Sequence, residues 1–193
     1  MSQEFGSIYE LIRHYVEIDD VEWEYCKSML SFKQFKKKEI ILSKGEICSE
    51  IYFVVKGILR IYFVDQNGDE KTFHFSLENT FATDYQSFLK EIHTDFYIQA
   101  LENTTVIIIT NEMLNMLYAN LKNGERLGRL IAEDYFFMMN EKIKGLYTQT
   151  PLQRYNSMNV AYPRILTRVP QHYIASYLNI TPVHLSRLKR GIE

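Results

Sequence analysis

The C-terminal end of the chain, residues 169–193, constrains the fold more than any other segment. The sequence predicts a short helix over 169–178, a turn at Asn179 and Ile180, and a second helix that begins after Thr181. Thr181 is a good N-cap residue, and Pro182 fits the first helical position, where its missing N–H costs nothing. The apolar residues that two crossed helices could bury together are Ile174, Leu178, Ile180, Leu185 and Leu188. This pattern is typical of a helix-turn-helix, whose second helix enters the major groove of DNA.

The outward side chains of the second helix suit nucleic acid. His184, Arg187, Lys189 and Arg190 can all donate hydrogen bonds to base edges or phosphates. An ordinary helical hairpin with a solvated basic face would show the same residues, and it remains the alternative interpretation.

Charge is unevenly distributed along the chain. Residues 151–193 carry six basic side chains against Glu193, a net charge of +5; because the whole chain carries −2, residues 1–150 carry −7. A positive end on a chain that is nearly neutral overall favours a DNA-binding region joined to a domain with another task.

Composition excludes several other classes. A hydrophobic content of 46% with 14% aromatic residues is too high for a disordered protein. Cys26 and Cys48 are too few for a disulfide framework. We see no signal peptide at the N-terminus and no apolar run of about 20 residues that could span a bilayer. We therefore expect a cytoplasmic protein in a reducing compartment, without a membrane partner.

The first two thirds of the chain predict helices followed by a compact antiparallel barrel or roll. Residues 4–34 are helical in pattern, with a break at Asp19 and Asp20. Asn67 and Gly68 lie between two alternating runs and predict a hairpin, because both residues tolerate positive φ. Between the later strands, residues 77–92 predict a loop and a short helix. The predicted strands are 39–42, 51–55, 58–64, 71–75, 96–101 and 106–110.

A long helix follows a first helical segment at 111–121. Its apolar residues recur at helical spacing over more than five turns, and Phe136 and Phe137 widen the apolar face. So much apolar surface favours a dimer interface, although a helix packed wholly against its own barrel is the alternative. The residues predicted to form the dimer helix are Leu127, Ile131, Tyr135, Met138, Ile143 and Leu146.

This order of elements resembles the Crp/Fnr family of bacterial transcription regulators over nearly the whole chain. The resemblance is carried by Gly45-Glu46 and by residues 52–57, 60–62 and 67–70, and above all by residues 169–190. It implies an α+β fold with an N-terminal β-roll like a cyclic-nucleotide-binding domain. It also implies three regions: a sensor domain over 1–125, a dimerisation helix over 126–147 and a helix-turn-helix domain over 148–193.

The sensor departs from the cyclic-nucleotide binders of the family. Those proteins carry a Gly-Glu pair that binds the ribose and, about ten residues later, an Arg followed by Ser or Thr that neutralises the phosphate. Alignment places Thr83-Asp84 and Thr94-Asp95 at these positions. A buried phosphate without its cation is heavily penalised, so we expect cyclic AMP to bind weakly or not at all. The pocket is either degenerate or adapted to another small molecule, and its candidate residues are Thr83, Asp84, Tyr85, Thr94, Asp95, Tyr97 and Tyr135.

No cofactor or metal is expected. An iron–sulfur sensor needs about four clustered thiolates, and this chain has only Cys26 and Cys48. His74 and His93 are the candidates for haem ligands, but a single His in an apolar strand is usually a hydrogen-bonded core residue. Lys90 or His93 would be the substitute cation if a cyclic nucleotide did bind.

The resemblance also assigns roles in DNA binding. Arg187 lies where the family has a base-contacting Arg, and we expect it to bond a guanine edge. Pro182 and Val183 replace residues that are often basic and acidic in the family, so the preferred DNA sequence should differ. The residues expected to hold phosphates are Gln171, Thr181 and Lys189. The predicted DNA-binding residues also include Val183, His184, Arg187 and Arg190. The β-hairpin wing that often follows the second helix is expected to be absent or truncated.

The sequence thus predicts a dimeric, DNA-binding transcription regulator that is not an enzyme. The expected partners are double-stranded DNA, a second copy of the chain, an unidentified small-molecule effector and RNA polymerase. The alternative is a module that binds a cyclic nucleotide or another small ligand without binding DNA.

Overall fold

The computed structural model describes residues 5–191. Residue 4, where the N-terminal helical pattern begins, and residues 192–193, at the end of the predicted helix-turn-helix domain, lie outside the described residues. The chain divides into two compact units. One comprises the chain up to Ile61 together with Phe75–Tyr135, and the other comprises Tyr62–His74 together with the chain from Phe136 onward.

Two short helices open the first unit, α1 (Gly6–Tyr15) and α2 (Asp20–Met29). The break between them is set by Asp19, whose carboxylate accepts the Glu22 N–H while the Glu22 carboxylate accepts the Asp19 N–H. This reciprocal capping box fixes the start of α2.

The prediction that helix continues to residue 34 was wrong. Residues Ser31–Phe35 form strand β1, which pairs antiparallel with a later strand through Phe32 opposite Ile107 and Lys33 opposite Val106. The ladder with a distant strand overrides the local helical pattern, since strand formation depends on pairing partners more than on intrinsic propensity.

The β-roll consists of two four-stranded sheets, in the strand orders β1-β8-β3-β6 and β2-β7-β4-β5. The predicted fold class is confirmed. All six predicted strands are present, and short strand β6 adds a pairing with β3 inside the segment predicted as a loop and a helix. The remaining elements of the roll are β2 (Ile40–Leu42), β3 (Glu50–Lys56), β4 (Leu59–Val64), β5 (Glu70–Ser76), β6 (Phe81–Ala82), α3 (Tyr85–Lys90), β7 (Tyr97–Ala100) and β8 (Thr104–Thr110).

The core of the roll is made by the inward residues of these strands, including Phe53, Ile98 and Ile107, each with no exposed surface. Gly57 turns the chain between β3 and β4 at φ +108°, and a Cβ there would lie 2.4 Å from the Thr104 hydroxyl oxygen. Only glycine fits this position, because both the φ angle and the close approach exclude a side chain.

The predicted hairpin joins β4 and β5, but its turn differs in detail. Gly68 has φ +85° whereas Asn67 does not adopt positive φ. The Asp65 N–H donates to the Asp69 carbonyl oxygen at 2.9 Å, and the Asp65 carboxylate accepts the N–H groups of Asn67 and Asp69. This is a three-residue loop with Gly in the left-handed position, the next commonest solution after the two-residue turn.

Helices complete the chain: α4 (Asn111–Asn120), α5 (Gly124–Thr148), α6 (Pro151–Ala161), α7 (Ile165–Arg168), α8 (Gln171–Tyr177) and α9 (Pro182–Lys189). The predicted long helix is therefore present, and two further helices, α6 and α7, lie between it and α8. A capping box between Thr150 and Gln153 starts α6 immediately after α5 ends. Within the described chain, none of these helices is long and apolar enough to cross a membrane.

Candidate nucleic-acid interface and sensor site

Helices α8 and α9 form a tightly packed pair in the second unit. Ile174, Leu178 and Leu185 are almost completely buried between them. Asn179 adopts φ +54° at the turn, and the Ile180 N–H donates to the Ala175 carbonyl oxygen at 3.0 Å. The buried seam therefore fixes which face of α9 is left outward.

That outward face carries the residues predicted to contact DNA. Thr181 is the N-cap of α9, as its hydroxyl accepts the His184 N–H at 3.1 Å. Ser186 is half-buried and Leu188 is buried, so they belong to the inner side. The exposed residues are Thr181, Pro182, Val183, His184, Arg187, Lys189 and Arg190 on or beside α9, and Gln171 at the start of α8. The structure thus exposes all seven of the predicted contact residues, and none of them is acidic.

Arg154 has a different role from the other basic residues of this region. Its guanidinium donates to the Leu178 carbonyl oxygen at 3.1 Å and to the Gln149 carbonyl oxygen at 2.7 Å. A cation at the end of α8 is favourable because the last carbonyls of a helix carry partial negative charge. Arg154 therefore holds the turn in place, a role that charge counting did not distinguish from DNA binding.

The hairpin Tyr62–His74 belongs to the same unit and contacts α8. The Ser176 hydroxyl accepts the Thr72 N–H at 2.8 Å and donates to the Glu70 carbonyl oxygen at 3.0 Å. The Lys142 ammonium donates to the Phe73 carbonyl oxygen and lies 4.1 Å from the centroid of the Tyr177 ring. Burial lowers the pKa of Lys142 to about 8. These contacts join a strand of the roll to the helix that supports α9.

His74 is a core residue in this structure. It is 4% exposed, and its ring nitrogen Nδ1 lies 3.5 Å from the Tyr162 hydroxyl. Burial, followed by the nearby charge of Lys142, lowers the pKa of His74 to about 3, so the imidazole is neutral at ordinary pH. His93, the other candidate for a haem ligand, is exposed beside Ile47. Within residues 5–191, no group of three or more His, Cys, Asp or Glu is placed to hold a metal ion.

In the first unit, Asp84 and Thr94, which align with the nucleotide-binding positions of the family, bond to each other. The Thr94 hydroxyl donates to one carboxylate oxygen of Asp84 at 2.6 Å and accepts the Phe96 N–H at 3.0 Å. The other Asp84 oxygen accepts the Ser87 N–H at 3.3 Å and caps α3. Thr94 is only 2% exposed. Both groups are therefore occupied by partners within the chain.

Thr83, Asp95 and Tyr135, three further candidate pocket residues, also have partners within the chain. The Thr83 hydroxyl donates to the Glu50 carbonyl oxygen at 3.2 Å, and Asp95 pairs with Lys44 at 2.9 Å on the surface. The Tyr135 hydroxyl accepts the Phe81 N–H at 2.7 Å, which ties the middle of α5 to β6. Tyr85 is exposed at the start of α3, and Tyr97 is half-buried on β7.

Arg60 was not among the functional residues predicted from the sequence. Arg60 on β4 has no exposed surface although it carries a guanidinium. Its burial could have been predicted from a charged residue inside a run of apolar strand residues, because an inward position of a strand buries whatever side chain it carries.

Comparison with known proteins agrees with this architecture. Residues 32–121 match the family model described as the cyclic nucleotide-binding domain. The structure of FixK2 from Bradyrhizobium japonicum is similar with a TM-score of 0.73 at 16% identity, over 84% of this chain and 84% of that one. The fold is that of the Crp/Fnr family. The resemblance seen in the sequence is confirmed.

Other solved structures support the same assignment. A transcriptional regulator assigned to the Crp/Fnr family, from Eubacterium rectale, is similar with a TM-score of 0.65 at 15% identity, over 90% of this chain and 83% of that one. The c-di-GMP-responsive global regulator CLP from Xanthomonas campestris gives 0.69 at 13% identity, over 90% and 91%. No curated protein matches the chain. At such identities the likeness establishes the fold alone.

Proposed function

We propose that this chain is a transcription regulator that binds DNA as a homodimer, reads a two-fold-related site through α9, and has a sensor that does not respond to cyclic AMP. The observation that carries the proposal is the outward face of α9, where Val183, His184, Arg187, Lys189 and Arg190 are exposed on a buried helix-turn-helix core. In this motif the second helix lies in the major groove and its exposed residues meet bases and phosphates.

Charge supports DNA as the partner. The first turn of α9 has no acidic residue, and its last turn has Arg187 and Lys189. Residues 151–193 carry a net charge of +5 while the rest of the chain is acidic. Attraction to phosphate is therefore concentrated in the region that presents α9, which is what a DNA-binding domain requires.

The exposed apolar side chains of α5 support the dimer. Phe136 is 62% exposed, Ile143 50% and Tyr147 86%, and they recur at helical spacing with Phe137 and Leu146. Tyr135, by contrast, bonds to Phe81 of its own chain. A second copy of the chain is the occupant that fits, because a symmetric pair of recognition helices matches a palindromic DNA site. We propose residues 126–147 as the dimerisation helix between a sensor domain (1–125) and a DNA-binding domain (148–193).

The sensor site supports an effector other than cyclic AMP, or none. A cyclic phosphate placed beside Thr94 would meet the Asp84 carboxylate, which bonds to Thr94 at 2.6 Å, instead of a guanidinium. Uncompensated burial of a phosphate is costly. The similar structure of CLP belongs to a regulator that responds to c-di-GMP, a different nucleotide.

The test begins with selection of preferred duplexes from a random pool by the full-length chain at one fixed salt concentration. Arg187→Ala should weaken binding to the selected site by about 1–3 kcal/mol and leave binding to random duplex nearly unchanged, because a base contact contributes only on its own sequence. Arg13→Ala removes an exposed Arg from α1 and is the matched control, expected to bind as the unaltered chain does. Sedimentation should give two chains of 23.0 kDa per duplex.

Each outcome has a distinct meaning. No preference for any selected duplex would refute the proposed function. An equal loss on every sequence for Arg187→Ala would make Arg187 a phosphate contact. One chain per duplex would refute the dimer.

A further inference from the structure

Val183 is an exposed apolar side chain next to Pro182, on a helix whose other exposed side chains are polar. It is the second residue of α9 and is 64% exposed, whereas Leu185 and Leu188 of the same helix are buried. Its exposed neighbours are Thr181, His184 and Arg187. Val183 therefore does not take part in the core of the helix pair.

The N-terminus of α9 is poor in donors for a phosphate. Pro182, at the first helical position, has no N–H, and the His184 N–H is already bonded to the Thr181 hydroxyl at 3.1 Å. Helix N-termini bind anions through such amide groups. The exposed Pro182 and Val183 side chains instead give this end of the helix an apolar surface.

We propose that Val183 reads the C5-methyl group of a thymine, close to the guanine read by Arg187. This inference rests on the proposed function. The N-terminal residues of a recognition helix contact base edges, and the methyl of thymine is the apolar group that the major groove presents. Val183 and Arg187 are four residues apart on one face of α9, where Cβ atoms lie about 5–6 Å apart. Because successive bases rise about 3.4 Å along a strand, the two side chains reach bases within a step or two of each other.

The experiment replaces each thymine of the selected duplex in turn with deoxyuridine, which keeps the hydrogen-bonding edges and removes only the methyl group. Each half-site should contain one sensitive thymine. Its replacement in one half-site should lower the affinity of the protein for the duplex roughly fourfold, the amount expected from one buried methyl group. Replacement in both half-sites should lose roughly fifteenfold, because independent contributions multiply. The sensitive thymine should lie within one or two base steps of the guanine whose recognition is lost in Arg187→Ala.

Val183→Ala tests the assignment to this residue. On the thymine site this substitution should lower the affinity by about the same factor as uracil replacement in both half-sites, because both chains of the dimer carry it. On the doubly replaced site it should lower the affinity little further, since the contact is already missing. Val160→Ala is the matched control, because Val160 is 82% exposed on α6 and lies outside α9.

The inference is overturned if every uracil replacement leaves the affinity within twofold, or if Val183→Ala weakens the thymine and uracil sites equally. These results would leave DNA binding itself intact. A chain that selects no duplex at all refutes the proposed function and this inference together.

Discussion

The polar side chains of the candidate pocket around Asp84 and Thr94 differ from those on the face of α9 in whether they already have partners within the chain. Around Asp84 and Thr94, each polar group is bonded to another group of the same chain, and Thr94 is 2% exposed. Along α9, Arg187, Lys189 and Arg190 stand in solvent on a buried apolar base. The polar groups around Asp84 and Thr94 already bond within the chain, whereas the side chains on α9 face solvent and can bond to a partner.

This difference separates stability from recognition. Removing a buried bonded group leaves its partner unsatisfied, which costs folding free energy. Removing an exposed group costs little in stability but removes a contact with whatever binds there. Substitutions in the two regions should therefore affect different measurements.

The largest effect on the free energy of unfolding is expected from His74. It tests whether burial of a residue, rather than the unit to which it belongs, decides if the residue contributes to stability or to recognition. His74 lies in the same unit as α9 but is buried, and its pKa is lowered to about 3 by burial and by the charge of Lys142. The unfolded chain takes up a proton near pH 6.5 while the folded chain does not. The free energy of unfolding should therefore fall by about 1.4 kcal/mol per pH unit as the pH decreases from about 6.5 toward 3.

Urea unfolding at several pH values measures this slope. His74→Gln should flatten it between pH 6.5 and 4.5, and the exposed control His184→Gln should leave it unchanged. An unchanged slope in His74→Gln would show that other groups control the acid sensitivity.

The second prediction compares one substitution in each of the two regions. Asp84→Ala removes the cap of α3 and the acceptor of the Thr94 hydroxyl, and should lower the free energy of unfolding by about 1–3 kcal/mol without changing DNA affinity. Arg187→Ala should do the reverse, with stability within about 0.5 kcal/mol of the unaltered chain.

Asp95→Ala is the matched control for Asp84, because Asp95 is an exposed acid whose partner is Lys44 on the surface. It should change stability by less than about 0.5 kcal/mol. A loss of DNA affinity in Asp84→Ala with unchanged stability would break the contrast between the two regions.

The smallest expected effect is on ligand binding. Cyclic AMP or cyclic GMP at millimolar concentration should not shift the melting temperature, because Thr94 and Asp84 leave no cation for the phosphate. A ligand at 100 times its dissociation constant would add about 2.7 kcal/mol of stability, which a melting curve resolves easily. A clear shift with either nucleotide would refute this part of the proposal and direct attention to Lys90, His93 and the buried Arg60.

Local rules account for the parts of the fold that the sequence predicted. The start of α9 follows from Thr181 and Pro182, and the β4–β5 hairpin follows from Gly68, because capping and turn geometry involve only a few neighbouring residues. Residues 31–34, which form most of strand β1, were predicted as helix, since their pairing with β8 depends on residues more than seventy positions away.

The candidate site was only partly predictable for the same reason. Exposure of Arg187 and burial of Leu185 follow from helical spacing around one seam. The bond between Asp84 and Thr94 forms because the segment after α3 folds back to the N-terminus of that helix. The hydrophobic periodicity of the sequence does not specify this return. The functional roles of the individual α9 residues and the domain boundaries remain predictions.

By itself, the sequence determined the order of most elements, the buried seam of the helix pair and the side chains that α9 exposes, because these depend on hydrophobic period, caps and turns. Only the tertiary structure decided which polar groups are already bonded. Arg154 binds the Leu178 carbonyl across 24 positions, and Ser176 binds Thr72 across 104. Such partners are chosen by how the chain folds back on itself, and loop closure between distant positions leaves no local pattern in the sequence.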